Sequence, residues 1–137
     1  MFPLAVVCGN TFLLKPSERV PGTSMAMMRL LRETGLPAGV VNCVNGDKLV
    51  VDQFIEDERV KSISFVGSNK VGEYIYREGS RRGKRVQCNM GAKNHCVVIP
   101  DADRESTVNQ IVGAAFGASG QRCMALTTVV LVGESQE

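Results

Sequence analysis

Patterns typical of strands and of helices alternate along this chain, and that alternation limits its fold more than any other feature. Short apolar runs, typical of strands, are separated by segments in which apolar residues recur at helical spacing. The predicted strands lie at residues 10–15, 40–44, 62–66, 85–88, 95–99 and 127–132. Strand–helix–strand units with short links predict an α/β fold, with an open, mainly parallel sheet, right-handed crossovers and helices on both faces.

Polar side chains that can cap helix termini mark where the predicted helices begin. These caps are Ser17 or Thr23, Asp47, and Asp101 or Asp103.

Apolar residues at helical spacing mark the helix faces that we predict to turn inward. They include Leu49 and Ile55 on the second predicted helix and Val71 and Ile75 on the third.

Size and charge argue against two classes of partner. The 137 residues suffice for one compact domain, and a net charge of +2 gives no strong field for a polyanion. The basic run at residues 81–85 has no interleaved aromatic residues, which favours a solvated loop over a nucleic-acid site. No apolar run approaches the roughly 18–20 residues that cross a bilayer. We therefore expect neither nucleic acid nor a membrane as a partner.

The five cysteines are odd in number and scattered, which argues against a disulfide framework and for a reducing compartment. Cys8, Cys43, Cys88 and Cys96 adjoin apolar runs, where cysteine behaves as a small hydrophobic residue. The single histidine, His95, precedes Cys96 in a predicted strand, and neighbours on a strand face opposite sides. A metal site is therefore not expected.

Ligands bind beyond the carboxyl ends of strands in parallel sheets, so the segments that follow the predicted strands carry the candidate site. Gly67 would let a ligand approach the backbone, and Ser68 offers a hydroxyl at a helix start, where a phosphate binds well. An ordinary capped turn would use the same residues.

Lys15 and Glu18 follow the first predicted strand and carry opposite charges. Together they could bind the two hydroxyls of an adenosine ribose, and the carboxylate would repel a 2′-phosphate, which favours NAD over NADP. The alternative is a surface ion pair that contributes under about 1 kcal/mol. Spacing along the sequence does not separate the two.

Cys123 follows an arginine and a run of small residues at 113–120. A nearby cation such as Arg122 would favour the thiolate, which is the nucleophilic form of cysteine. From these residues alone, a reactive thiol and an inert buried one remain equally good interpretations.

Five motifs in this order resemble those of the aldehyde dehydrogenase superfamily. They are KPSE at 15–18, VNCVNG at 41–46, FVGS at 65–68, NMGAKN at 89–94 and GQRC at 120–123. Their variants are most similar to the acylating branch, which uses coenzyme A. The resemblance spans essentially the whole chain and implies a Rossmann-like NAD-binding domain at residues 1–118, followed at 119–137 by the start of a catalytic domain.

The resemblance also implies roles for individual residues. Cys123 would attack the aldehyde carbonyl, and the thioester would form after hydride passes to NAD, with the N–H of Cys123 as half of the oxyanion hole. The residues that match cofactor ligands are Lys15, Ser17, Glu18, Gly46, Gly67, Ser68, Met90 and Gly91.

Asn89 departs from the wider superfamily, in which most members have a glutamate that activates water. A neutral amide is no general base, so the thioester would survive until coenzyme A attacks it. Arg122 would clamp the free carboxylate of malonate or methylmalonate semialdehyde, the substrates of the resembling branch. The alternatives are a structural amide at Asn89 and a solvent-facing Arg122.

By the same resemblance we expect an internal piece of a homotetrameric enzyme. It would be mitochondrial in an animal and cytoplasmic in a bacterium. Because a second oxyanion donor and most of the catalytic domain would lie outside the chain, we expect little or no activity from residues 1–137 alone. Two competing readings are a hydrolytic aldehyde dehydrogenase and a non-catalytic nucleotide-binding module.

Overall fold

The structure, a computed structural model, describes residues 1–135; positions 136 and 137, the end of the predicted catalytic segment, lie outside the described residues. Five α-helices and six strands follow the predicted alternation. The helices are α1 (Phe2–Val7), α2 (Pro21–Glu33), α3 (Lys48–Glu56), α4 (Asn69–Arg81) and α5 (Arg104–Phe116). The strands are β1 (Phe12–Leu14), β2 (Val41–Cys43), β3 (Ser62–Val66), β4 (Arg85–Asn89), β5 (Asn94–Val98) and β6 (Leu126–Leu131).

All the strand pairs described are parallel, and each encloses one helix. β1 pairs with β2 across α2, β3 with β4 across α4, and β5 with β6 across α5. The α/β prediction with parallel strands is confirmed. The hydrogen-bonded strands form three separate pairs rather than one continuous sheet.

The chain divides into two compact units. The first comprises Met1–Val66 and Lys70–Asn89, and the second comprises Gly67–Asn69 and the residues from Met90 onward. The predicted domain boundary between residues 118 and 119 stays a prediction.

The predicted caps are right for two helices and wrong for α2. The side chains of Asp47 and Asp103 accept backbone N–H bonds at the starts of α3 and α5. Helix α2 instead begins at Pro21, whose fixed φ suits the first turn and whose missing N–H needs no partner. Ser17 and Thr23 therefore do not cap it.

The inward faces were predicted only in part. Ile55 and Ile75 are each 2% exposed, whereas Leu49 and Val71 are exposed. Gly79 explains how α4 lies so close to its sheet, because a Cβ there would come within 2.8 Å of Val86 on β4.

The basic run contains a residue that is not solvated. Lys84 is 9% exposed, and its ammonium donates to the carbonyl oxygens of Asp57 and Val60, both at 2.6 Å. The interpretation of residues 81–85 as a solvated loop is therefore wrong at Lys84, which ties the end of α3 to the start of β4. Arg81 and Arg82 are solvated as predicted.

The five thiols are free and differ in exposure. Cys43, Cys88 and Cys96 are half-buried, and burial raises the pKa of the Cys88 thiol. Cys8 and Cys123 are exposed. The expectation that Cys8 packs as a small hydrophobic residue is wrong, since it lies just past the end of the short helix α1.

Residues 1–135 contain neither a helix that could span a membrane nor a cluster of metal-binding side chains. No helix there combines the length and apolar character needed to cross a bilayer. No group of three or more His, Cys, Asp or Glu side chains there is arranged to hold a metal ion.

Candidate active site

In the first unit, Lys15 joins the carboxyl ends of β1 and β2. Its ammonium donates to the carbonyl oxygen of Pro16 at 2.5 Å and to that of Gly46 at 2.7 Å. The Lys15 side chain is 15% exposed, and its nitrogen lies 3.6 Å from a carboxylate oxygen of Glu18. Three of the predicted cofactor residues therefore converge at one edge of this strand pair.

The arrangement leaves binding capacity for a diol. An ammonium has three N–H donors, and two of those on Lys15 are used by carbonyl oxygens. The third N–H and the exposed carboxylate of Glu18 provide one donor and one acceptor side by side. That pair of groups is complementary to two adjacent hydroxyls, each of which both donates and accepts.

Gly46 is required at its position by packing as well as by backbone angle. Its φ is 154°, and a Cβ would lie 2.4 Å from a methyl group of Val50 on α3. A side chain at this position would clash with Val50, so Val50 or the loop whose carbonyl oxygen binds Lys15 would have to shift. Ser17 contributes differently, because its hydroxyl accepts from the N–H of Arg19 within the exposed loop.

Asn89 is the last residue of β4, and the strand register pairs it with Val66, the last residue of β3. Asn89 is exposed. The two strands therefore end at the same level, and ligands of parallel sheets bind beyond the carboxyl ends of the strands.

In the second unit, Asn69 links two of the predicted cofactor segments. Its side-chain oxygen accepts from the N–H of Gly91 at 2.7 Å, and a Cβ on Gly91 would lie only 2.9 Å from that oxygen. Gly67, Ser68 and Met90 are exposed beside these two residues in the chain. The sequence analysis did not identify Asn69; an amide directly after Gly-Ser at a helix start was the available signal.

Cys123 lies in a tight turn and is exposed, so the interpretation of a buried thiol is wrong. The turn is closed by a 3.0 Å bond from the N–H of Ala125 to the carbonyl of Arg122. Ala125 is 4% exposed and anchors the turn to the unit, while Met124 is 77% exposed.

Backbone strain immediately precedes this turn. Ala118 and Ser119 have φ values of 53° and 57°, and Gly120 follows at 72°. A non-glycine residue in this left-handed region costs roughly 1–2 kcal/mol. Strain of this kind persists only where surrounding contacts enforce it, and it concentrates at functional sites.

Arg122 lies against the backbone of Gly117. A Cβ on Gly117 would come within 2.9–3.2 Å of the guanidinium group. Glycine at this position therefore leaves room for the guanidinium group beside the backbone, next to the left-handed segment. Arg122 itself is exposed.

The whole chain, residues 1–137, matches the model of the aldehyde dehydrogenase family, and the chain belongs to that family. It is 62% identical over 137 residues to the human protein named methylmalonate-semialdehyde/malonate-semialdehyde dehydrogenase [acylating], mitochondrial. All of this chain is covered in that comparison, but the chain spans only 26% of the length of that relative.

Solved structures agree with this assignment. The methylmalonate-semialdehyde dehydrogenase of Oceanimonas doudoroffii is 58% identical, with a TM-score of 0.84 over 99% of this chain and 28% of its own. A provisionally named methylmalonate-semialdehyde dehydrogenase from Sinorhizobium meliloti, solved in complex with NAD, is 47% identical, with a TM-score of 0.83 over 98% of this chain and 27% of its own.

Proposed function

We propose that this chain supplies cofactor-binding strands and the nucleophile of an NAD-dependent, CoA-acylating semialdehyde dehydrogenase. The complete enzyme converts malonate or methylmalonate semialdehyde with coenzyme A to acetyl-CoA or propionyl-CoA and carbon dioxide. The observation that carries the proposal is the exposed Cys123 thiol, held on a closed turn directly after strained backbone. The names of the human and Oceanimonas relatives support the substrate class, and the human name also supports the acylating step.

The residues of the first unit fit the adenosine end of NAD. Bound NAD would accept the hydride that the substrate carbon loses. Lys15 and Glu18 would bind the two ribose hydroxyls, and the carboxylate would disfavour a 2′-phosphate. Gly46 would hold the loop beside them, with Ser17 at its rim.

The exposed segments of the second unit fit the phosphates. Gly67 permits close approach, and Ser68 offers a hydroxyl next to the first N–H groups of α4. The bond from Gly91 to Asn69 holds the segment that contains Met90 beside that helix start.

Cys123 performs the covalent chemistry in this proposal. Its thiolate attacks the aldehyde carbon, a C–S bond forms, and the carbonyl electron pair becomes an oxyanion near the backbone N–H of Cys123. Loss of hydride gives a thioester. The thiol of coenzyme A then attacks that thioester, and the Cys123 thiolate leaves. The carbon–carbon bond to the substrate carboxylate breaks, carbon dioxide leaves, and the electron pair stays on the α-carbon as the thioester enolate, which takes a proton from solvent to give the acetyl or propionyl group. Replacement Cys123→Ser in the complete enzyme should abolish NADH formation, and normal turnover would refute the proposal.

Asn89 decides between acyl transfer and hydrolysis. A side-chain amide does not take a proton from water, so the thioester persists for coenzyme A. Asn89→Glu should raise the ratio of free acid to acyl-CoA, measured by chromatography of the products. An unchanged ratio would refute this role of Asn89.

Arg122 binds the carboxylate of the substrate in this proposal. Replacement Arg122→Met should raise the KM for malonate semialdehyde by about 10–100-fold, the range for a lost charge-assisted bond of about 1.5–3 kcal/mol. The KM for propionaldehyde, which lacks the carboxylate, is the matched control and should change little. An equal rise in KM for both substrates would show that Arg122 stabilises the turn and does not bind the substrate carboxylate.

We also propose a mitochondrial location and a homotetramer. The names of the mammalian relatives support the location. The 58% identity to a bacterial protein shows that chains of this type also occur outside mitochondria. Cell fractionation and light scattering on the complete enzyme test the two statements.

A further inference from the structure

Asn94, the first residue of β5, binds the segment that carries Cys123. Its side-chain amide donates to the carbonyl oxygen of Cys123 and to that of Ala125, both at 2.9 Å. Its own carbonyl accepts from the hydroxyl of Thr127 at 3.2 Å. One half-buried residue therefore contacts three positions in the five that begin at Cys123.

An irregularity in the strand pairing explains why a side chain makes these contacts. Asn94 is paired with Leu126, but His95 is paired with Thr128, so Thr127 is an extra residue in β6. The regular ladder stops at this bulge, and carbonyl groups beyond it need other donors. The amide of Asn94 supplies both of its N–H groups to them.

We propose that Asn94 is a positioning residue that fixes the main chain of Cys123 for attack on the aldehyde; this inference rests on the function proposed above. The carbonyl of Cys123 and the N–H of Met124 share one rigid peptide plane, so binding that carbonyl sets the orientation of the plane. The bond from Ala125 to Arg122 fixes the other side of the turn. Between them the Cα of Cys123, and the base of its side chain, has little freedom.

The strained segment makes this restraint necessary. Ala118 and Ser119 hold left-handed backbone angles that an unrestrained chain would leave, and they lie only a few residues before the nucleophile. Asn94 restrains the same stretch from its other end. Misplacing a reacting group by about 1 Å costs on the order of a hundredfold in rate.

The test compares three replacements of Asn94 in the complete enzyme. Asn94→Asp keeps the shape but places a carboxylate against two carbonyl oxygens, and Asn94→Ala removes the donors without adding charge. Asn94→Gln keeps both donors on a longer side chain and serves as the conservative variant. The matched control is Asn10→Asp, because the Asn10 amide also donates to two carbonyl oxygens, at 3.2 and 3.4 Å, in the first unit.

We expect Asn94→Asp and Asn94→Ala to lower kcat by about 10–100-fold while the KM for NAD stays within about twofold of wild type. The rate at which iodoacetamide alkylates Cys123, read from the labelled peptide at several pH values, should fall in the same variants. Asn94→Gln should recover part of both rates, and Asn10→Asp should resemble wild type.

Wild-type kcat in Asn94→Ala would overturn the proposal, as would an equal loss of kcat in Asn10→Asp. Should Asn94→Asp not fold, Asn94→Ala alone decides. Cys123→Ser separates the role of Asn94 from the proposed function, because turnover in that variant would refute the proposed function itself. No turnover in Cys123→Ser together with wild-type kcat in Asn94→Ala would refute only the role of Asn94.

Discussion

Lys84→Met removes one buried charge from the first unit and should loosen it locally. Lys84 is 9% exposed, and its ammonium binds the carbonyl oxygens of Asp57 and Val60, both at 2.6 Å. These carbonyls lie just beyond α3, so the cation also faces the negative end of that helix. Methionine keeps most of the apolar stem and deletes the donors.

The expected cost follows from those two bonds. A hydrogen bond from a charged group contributes about 1.5–3 kcal/mol, and burying the ammonium offsets part of that gain. The carbonyl of Asp57 keeps the N–H of Val60 as a partner at 3.1 Å, which limits the penalty. We therefore expect a loss of about 2 kcal/mol in the free energy of opening β3 and β4.

Hydrogen exchange of the complete enzyme, read by mass spectrometry, measures this local effect. A loss of about 2 kcal/mol corresponds to roughly 30-fold faster exchange where opening and closing are fast relative to chemical exchange. The faster exchange should be confined to peptides that contain β3 or β4. Peptides from β5 and β6 serve as an internal reference.

The matched variant is Lys61→Met, which removes an exposed lysine from the same region. Its effect should stay within about 0.5 kcal/mol, as is usual for surface positions. Unchanged exchange in Lys84→Met, or equal acceleration in both variants, would show that the buried ammonium does not stabilise this unit.

Three further predictions test other parts of the chain. Gly46→Ala should cost about 1–3 kcal/mol of overpacking against α3 and should weaken NAD binding, measured by fluorescence titration. Cys88 should react with iodoacetamide more slowly than Cys123 at about pH 8, because its raised pKa leaves less thiolate; peptide mass spectrometry would show the reverse order if this is wrong. The guanidinium of Arg59 lowers the pKa of Asp57, so the stabilising effect of that carboxylate is present above its unfolded pKa of about 3.9 and is lost as pH falls through the lower folded value. Thermal midpoints should therefore fall less steeply below about pH 4 in Asp57→Asn than in wild type, and parallel profiles would contradict this.

Much of the architecture could be predicted from sequence because its signals are local. β3 was predicted with both of its ends, and the side chains of Asp47 and Asp103 cap helices as expected. Helix faces were harder, since helical spacing placed Leu49 and Val71 inward and both are exposed. Spacing defines which residues share a face, but only the neighbouring elements define which face is covered.

Some residues of the candidate site could likewise be identified from the sequence, and others could not. Lys15, Glu18 and Gly46 lie together, because parallel strands bring their carboxyl ends to one edge, and their role in binding a cofactor stays a prediction. Asn69 and Asn94 were missed because their contacts are with backbone groups more than 20 positions away, which the residues around them in the sequence do not specify.

The sequence alone determined the family, the alternation of strands and helices, and the residues that can carry the chemistry. These depend on residue identity and on neighbours a few positions away. Tertiary structure decided that Lys84 is buried, that Cys123 is exposed, and that Asn94 binds the turn around it. Lys84 binds carbonyl groups 27 and 24 positions away along the chain, and Asn94 binds carbonyl groups 29 and 31 positions away. Side-chain patterns do not encode where such distant backbone carbonyl groups will point.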